Sequence, residues 1–302
     1  MKSLYELTGT SNTASWIPED AYADLILEAS VCYGQLSGVI TAIDYDLKAC
    51  QGATIQIRYI GARTAQGPIS EWGCLSEASS TFGTYPITVK QYGDYDKLSD
   101  FSILKTCGPL KDRILNEMAK GLAKKRDSEI WTALKNASAG YTATLAHAWS
   151  AGVVTDSCCF DAVDLYNKIV YLYKQMQGNA YNPDVVIMHP TVAAHLYYKD
   201  NGNIPIVQNI MPLVKFDNAG QLVSIGPLKV IESCVATSGT TVSGATLAIV
   251  IDSSRAIGEA WGKRPTFSEF YDNVCNVYKE TVWMYWGTAA MDTNAIGRIR
   301  NP

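Results

Sequence analysis

The segments GATIQIRYI (residues 52–60) and TYPITVK (residues 84–90) decide the fold of this chain, together with the helix that follows them. Both alternate apolar and polar side chains, so that Ile55 and Ile57 share one face of a strand. The alternation predicts a long β-hairpin over about 53–92. Because an isolated two-stranded hairpin is marginally stable in water, such an arm needs another surface to lie on. We therefore predict that it is an assembly device rather than part of the folded core.

A long amphipathic helix is predicted shortly after the hairpin, over about 109–136. Its apolar residues recur at helical spacing, and basic residues occupy the other faces. The helix reaches roughly 40 Å at about 1.5 Å per residue, whereas helices average about 11–12 residues. This length predicts a strut that supports other elements. The apolar face contains Ile114, Leu115, Met118, Leu122, Ile130 and Leu134, and the basic residues include Lys111, Lys120, Lys124, Lys125 and Arg126.

The patterns in the remainder of the sequence predict an α+β protein, whose sheets combine strands from distant parts of the chain. Two apolar runs without alternation indicate strands that are buried on both faces, at 184–188 and 245–251. Other strands are predicted at 39–43, 226–232, 266–271, 275–286 and 298–300, with helices at 160–176 and 192–198. We predict a connector at 92–108, a linker at 140–154 and a turn at Trp261-Gly262.

The bulk composition narrows the class of protein. The 302 residues are 47% hydrophobic and 18% charged, which is typical of one large or two medium globular domains. A net charge of −4 argues against a dedicated nucleic-acid binder, although it leaves room for nucleic acid enclosed nearby. We expect no signal peptide and no membrane span. The eight scattered cysteines contain no CxxC pair, so we expect buried thiols in a reducing cytoplasm.

No pattern in the sequence predicts catalysis. The chain lacks the GxxxxGK[ST], GxSxG and HExxH motifs. The chain has three histidines, His147, His189 and His195. The spacing of His189 and His195 is poor for binding a metal, and we expect His189 to lie at a helix start or to have a packing role. Asp161 and Asp164 are explained by a helix N-terminus. The sequence therefore predicts no catalytic residue, no cofactor and no metal. The basic residues at 120–126 of the long helix predict a face exposed to solvent. The alternative is that this face contacts nucleic acid or an acidic neighbour.

The order of these elements resembles the HK97-like fold of the major capsid proteins of tailed bacteriophages. The hairpin with Gly52–Ile57 and Tyr85–Val89 resembles the family's E-loop, and the helix over 110–136 resembles its spine helix. The run Val185–Pro190 followed by a helix, and the run Gly226–Ser233, resemble elements of its A-domain. The resemblance covers nearly the whole chain. It implies an N-terminal arm at 1–51, an E-loop hairpin at 52–93, a P-domain with the spine helix at 94–151, an A-domain at 152–262 and the C-terminal strands of the discontinuous P-domain at 263–302.

The resemblance implies a structural protein that self-assembles into an icosahedral shell around the double-stranded DNA of a phage. The implied partners are further copies of the chain, as pentamers and hexamers, with separate scaffolding, portal and decoration proteins. DNA would be enclosed without sequence-specific binding, in a virion that is assembled in the host cytoplasm. Large apolar and basic side chains in the hairpin would contact a neighbouring subunit. These candidate interface residues are Arg58, Arg63, Ile69, Trp72 and Leu75.

Two alternatives stay open at the level of sequence. An encapsulin-like compartment around a cargo enzyme has the same architecture, and an α+β enzyme without a recognised motif belongs to a different class. Some relatives cross-link their subunits through a lysine on the E-loop. This hairpin has Lys90 at its base but no lysine from 51 to 89, and arginine cannot supply the amine nucleophile. We therefore expect no covalent bond between subunits.

Overall fold

The computed structural model of the chain describes residues 36, 41–43, 54–60, 82–100, 103, 110–146, 162–194, 196, 214–216, 222–236 and 244–302. The strands in these residues are β1 (Thr41–Ile43), β2 (Thr54–Ile60), β3 (Phe82–Thr88), β4 (Lys90–Ser99), β5 (Tyr141–Thr144), β6 (Val185–Met188), β7 (Val214–Phe216), β8 (Leu222–Ile225), β9 (Leu228–Glu232), β10 (Thr246–Ile251), β11 (Ile257–Asp272), β12 (Val277–Ala290) and β13 (Ile296–Arg300). The helices are α1 (Leu110–Asn136), α2 (Ala162–Gly178) and α3 (Pro190–Ala194).

The strands form three sheets, which confirms the α+β class. The largest sheet has seven strands in the order β5-β13-β10-β6-β9-β8-β7. Its interior strand β10 is antiparallel to both neighbours and is buried along its whole length, as the continuous apolar run predicts. The second sheet has the order β1-β11-β12-β4, and the hairpin strands β2 and β3 form a sheet of their own.

Helix α1 connects the two larger sheets, which confirms the predicted strut. Its N-terminal half packs Leu115, Met118 and Leu122 against apolar side chains of β11 and β12. Its C-terminal half buries Ile130 and Leu134 in a cluster with β6, β10 and β13. Helix α2 covers the seven-stranded sheet through Leu165, Ile169, Leu172 and Met176, which lie on one face at helical spacing.

Three local predictions were wrong, each for a physical reason. The predicted connector at 92–108 contains strand β4, which pairs with β12 over ten residues. Its charged residues hide the alternation, and charge is typical of edge strands because it discourages aggregation. The predicted linker at 140–154 contains β5, a short strand parallel to β13. The predicted turn at Trp261-Gly262 is an irregularity in the pairing of β11 with β12 rather than a reversal of the chain.

The division into an N-terminal arm, a hairpin, a discontinuous P-domain and an A-domain stays a prediction. The seven-stranded sheet takes β5 and β13 from stretches that the sequence assigned to the P-domain, and β6–β10 from the stretch assigned to the A-domain. Among the described helices, none combines the length and the apolar character that a membrane span requires.

Candidate functional site: the base of the hairpin arm

The hairpin pairs as the sequence alternation predicts. Strands β2 and β3 are antiparallel, with Thr54 opposite Thr88 and Ile57 opposite Tyr85. The two threonine hydroxyls at the base lie 3.4 Å apart on the exposed face. The opposite face is apolar, and it is the face that contacts the rest of the chain.

The base of the hairpin is part of the folded core. Ile55, Ile87 and Val89 are buried together with Ala260 of β11, and Tyr285 flanks the cluster. Ile87 is fully buried. Burying side chains of this size is worth about 1.5–3 kcal/mol each. The prediction that the hairpin is separate from the core is therefore wrong for its base, because the four-stranded sheet of the same chain supplies the missing surface.

Two glycines of the four-stranded sheet make this close approach possible. A Cβ atom at Gly287 of β12 would overlap the carbonyl oxygen of Thr88 and lie 3.1 Å from the Cα of Val89. A Cβ at Gly258 of β11 would lie 2.7 Å from Sδ of Met291 and 3.2 Å from Cδ1 of Ile87. A glycine inside a strand often marks a site where another backbone approaches. The two glycines therefore form the seat on which the hairpin base rests.

A buried ion pair holds α1 against the same sheet. Nη2 of Arg126 lies 2.6 Å from Oε1 and 2.7 Å from Oε2 of Glu259 on β11. The Glu259 side chain is fully buried, and it also accepts a hydrogen bond from Nε1 of Trp286 on β12. The guanidinium carbon of Arg126 lies 5.0 Å from the ring centroid of Trp261. One arginine therefore joins the long helix to both central strands.

Arg126 corrects the interpretation of the basic residues of the long helix. The sequence pattern placed Arg126 on the solvated face at 120–126, but only 11% of the Arg126 side chain is exposed. The remaining lysines fit the prediction: Lys124 is exposed, Lys120 lies 2.6 Å from Glu117 and Lys125 lies 2.9 Å from Glu129. The expected solvated face is confirmed for these lysines and is wrong for Arg126.

A second buried arginine caps the other end of α1. Nη2 of Arg298 on β13 donates to the carbonyl oxygen of Leu134, at 3.0 Å, within the last turn of the helix. A cation at a helix C-terminus is favourable because the helix dipole is negative there. Burial, together with the nearby charge of Arg300, lowers the pKa of Arg298. The contact fixes the end of α1 against the seven-stranded sheet.

His189 starts helix α3, as predicted. Its Nδ1 accepts a hydrogen bond from the backbone N–H of Thr191, at 3.1 Å, and lies 2.7 Å from the Thr191 hydroxyl oxygen. Burial lowers the pKa of His189, which favours the neutral ring that this acceptor role requires. Asp164, near the start of α2, accepts from the backbone N–H of Ala146 at 2.8 Å. The other histidines and Asp161 lie outside the described residues.

The residues that the structure describes contain no cluster of three or more His, Cys, Asp or Glu side chains that could hold a metal ion. The two described cysteines, Cys234 and Cys275, are exposed, contrary to the expectation of buried thiols. Cys275 lies in the turn between β11 and β12.

The predicted interface residues lie mostly outside the described structure. Arg58 belongs to β2, but its side chain is not described. Arg63, Ile69, Trp72 and Leu75 fall within 61–81, outside the described residues. The sequence analysis did not identify two residues that contact the hairpin base. These are Gly258 of β11 and Gly287 of β12. An isolated glycine in a strand pattern was the available signal.

Comparison with known families links this arrangement to one class of protein. A model of the family described as phage capsid protein matches residues 84–296, about two thirds of the chain. The match begins in β3 and ends at the start of β13, so it includes α1 and most of both large sheets. No curated protein sequence matches the chain.

Solved structures similar to this chain include several capsids. The capsid of the cyanophage P-SCSP1u aligns with a TM-score of 0.65 at 13% identity, covering 87% of this chain and 86% of that one. The capsid of an empty GTA particle aligns with a TM-score of 0.63 at 13% identity, covering 89% and 90%. A structure from Mycobacterium phage Che8 gives 0.60 at 14% identity, covering 87% and 90%. At these identities the similarity is one of fold, and that fold is the HK97-like architecture expected from the sequence.

Proposed function

The chain belongs to the phage capsid protein family, as a structural major capsid protein of an icosahedral shell, and we propose that this shell encloses double-stranded DNA. The observation that supports the proposal is the described base of the hairpin, where β2 pairs with β3 and packs against the four-stranded sheet at Gly258, Ala260 and Gly287. A seated base gives the arm a fixed direction. We propose that the arm carries Arg58, Arg63, Ile69, Trp72 and Leu75 to a neighbouring copy.

The proposed partners are those that a shell requires. Copies of the chain assemble as pentamers and hexamers, in the host cytoplasm, and a portal, scaffolding and decoration proteins join them. Many weak contacts repeated around rotation axes give a stable shell without strong pairwise binding. The net charge of −4 fits DNA that is confined by the shell rather than bound in a sequence-specific way.

We propose that the protein has no catalytic activity. His189 is engaged at the start of α3, and Asp164 is engaged near the start of α2. The buried pair of Arg126 and Glu259 is enclosed by tryptophans in the core, out of reach of a substrate. These residues are explained by folding, and the function of the family is explained by assembly.

Particle formation is the experiment that tests the proposal. The full chain, expressed with any scaffolding protein it needs, should elute in the void volume of a sizing column and form closed particles by electron microscopy. Particles purified from infected cells should protect double-stranded DNA from nuclease. Particles that contain a protein cargo instead would support the encapsulin-like compartment. A small oligomer with a measurable turnover would support the enzyme alternative and contradict the proposal.

Replacing residues 62–80 with a short Gly-Ser turn is expected to abolish shells while the chain still folds. The residues that seat the arm, including Ile55 and Ile87, lie outside the replaced segment and remain buried. Circular dichroism should match that of the unaltered chain, and electron microscopy should show no closed particles. Normal particles would show that the tip is dispensable. An unfolded product would show that the tip belongs to the core of the subunit.

A further inference from the structure

Two arginines share one face of the seven-stranded sheet, next to the C-terminal end of α1. Side chains alternate along β13, so that Ile299 packs in the cluster with α2 while Arg298 and Arg300 lie on the opposite side. On the neighbouring strand β5, Thr142 is opposite Arg298 and Thr144 is opposite Arg300. We define the arginine site as these two arginines and these two threonines.

The arginine site is buried on one side and open on the other. Arg298 is only 4% exposed. Arg300 is half-buried, and both threonines are exposed to solvent. A solute can therefore reach Arg300 and the two hydroxyl groups directly. Because residues two apart on a strand are about 7 Å apart, a negative charge bound there would also lie close to the buried charge of Arg298.

The positive charge of the arginine site is not balanced within the described part of the chain. Neither arginine takes part in an ion pair there. Nη2 of Arg298 donates to the carbonyl oxygen of Leu134, but the buried Nε has no hydrogen-bond acceptor among those residues. Burial lowers the pKa of Arg298 and the charge of Arg300 lowers it further, as expected for a cation without a counter-charge.

The end of α1 explains only part of this charge. A helix C-terminus carries roughly half a negative charge, whereas the two guanidinium groups carry two positive charges, so about one and a half remain unbalanced. Capping α1 needs a single cation, and Arg298 supplies it. The second arginine raises the electrostatic cost of burying the first. An arrangement that disfavours folding without an evident structural gain is typical of a functional site.

We propose that the arginine site binds a phosphate group. A phosphate carries between about one and two negative charges, which matches the unbalanced charge of the site. Guanidinium groups recognise phosphate oxygens through paired N–H donors, and the hydroxyl groups of Thr142 and Thr144 can donate to further oxygens. A carboxylate has two oxygens in one plane and a single charge, so it would leave donors and charge unmatched.

The phosphate group can come from free phosphate or from the backbone of a nucleic acid, because both present the same kind of oxygens. A contact with a backbone phosphate carries no sequence information, which agrees with DNA that is enclosed without sequence-specific binding. All four residues of the site belong to one subunit. The inference therefore does not presume that copies assemble, and its failure would leave the proposed shell function intact.

Thermal unfolding of the unassembled full-length chain tests phosphate binding. The midpoint is measured in increasing sodium phosphate and in sodium chloride of matched ionic strength, at constant pH. A ligand that binds only the folded state raises the midpoint as its concentration exceeds the dissociation constant. We expect phosphate to raise the midpoint well beyond the effect of chloride. Equal responses to the two salts would overturn the inference.

Matched variants assign the binding to the arginine site. Arg300→Gln should raise the dissociation constant for phosphate at least about tenfold, because it removes charge-assisted hydrogen bonds. Arg300→Lys keeps the charge but loses the paired donors, so its affinity should be intermediate. Arg113→Gln is the control, since Arg113 is an exposed arginine of α1 outside the site and should bind phosphate normally. Unchanged affinity in Arg300→Gln would contradict the inference.

A fluorescent DNA duplex distinguishes the two sources of the phosphate group. Its binding to the unaltered chain, to Arg300→Gln and to Arg113→Gln is followed by fluorescence anisotropy. Weaker binding by Arg300→Gln alone, with release of the duplex by added phosphate, would assign the site to a nucleic-acid backbone. Equal duplex binding by all three chains, with phosphate binding lost only in Arg300→Gln, would assign it to free phosphate. If neither ligand distinguishes Arg300→Gln from Arg113→Gln, the inference is wrong.

Discussion

Arg126→Met is expected to lower the free energy of unfolding of the unassembled subunit by about 3–5 kcal/mol. The substitution keeps much of the apolar volume of the side chain. It removes the guanidinium group whose Nη2 lies 2.6 Å from Oε1 of Glu259. Glu259 is then left as a carboxylate that is fully buried. A buried charge without a partner is costly because neither water nor a counter-charge stabilises it. The measurement is the midpoint of guanidinium unfolding, followed by circular dichroism.

Two further variants separate the ion pair from general effects on the helix. Lys124→Met changes an exposed lysine two residues away and should cost under about 0.5 kcal/mol. Adding Glu259→Gln to Arg126→Met should recover most of the loss, because the amide oxygen still accepts the hydrogen bond of Trp286 and carries no charge. Equal destabilisation by Arg126→Met and Lys124→Met would show that the pair contributes nothing special.

The sequence could not predict this ion pair. Helical periodicity is a local property, and it places Leu115, Met118 and Leu122 on the apolar face correctly. Arg126 is charged and lies beside two lysines, so the same property assigns it to solvent. Its partner is 133 residues away, on a strand whose position depends on the whole fold. Pairings of this range follow from tertiary structure and leave no mark in either local segment.

Strand predictions succeeded where one physical pattern dominated. The continuous apolar run of β10 and the alternation of β2 and β3 were both sufficient. The sequence analysis missed strand β4 because Asp94, Asp96 and Lys97 interrupt its apolar pattern. Within the described residues, β4 is an edge strand of its sheet. The arm was predicted correctly as a hairpin. An isolated glycine in a strand marks Gly258 and Gly287 as unusual, but their contact with the arm could not be predicted, since they are far from it in sequence.

Gly287→Val is expected to detach the base of the hairpin and to prevent shell formation. A Cβ at this position would overlap the carbonyl oxygen of Thr88, which is backbone and cannot turn aside as a side chain would. The strand β3 must then move away from β12, and Ile87 loses the contacts that bury it completely. Overpacking of this kind costs about 1–3 kcal/mol, and lost burial of Ile87 adds to it.

Hydrogen exchange measures the detachment directly. Amides of β2 and β3 should exchange at least tenfold faster in Gly287→Val, while those of β10, an interior strand of the seven-stranded sheet, should be unchanged. Gly178→Ala is the control, because a Cβ at Gly178 meets no atom within 4 Å. That variant should keep normal exchange and normal particles. A freed base no longer fixes the direction of the arm, so loss of particles together with rapid exchange in β2 and β3 would tie assembly to the glycine seat. Normal particles despite rapid exchange would show that the arm finds its neighbour without a fixed base.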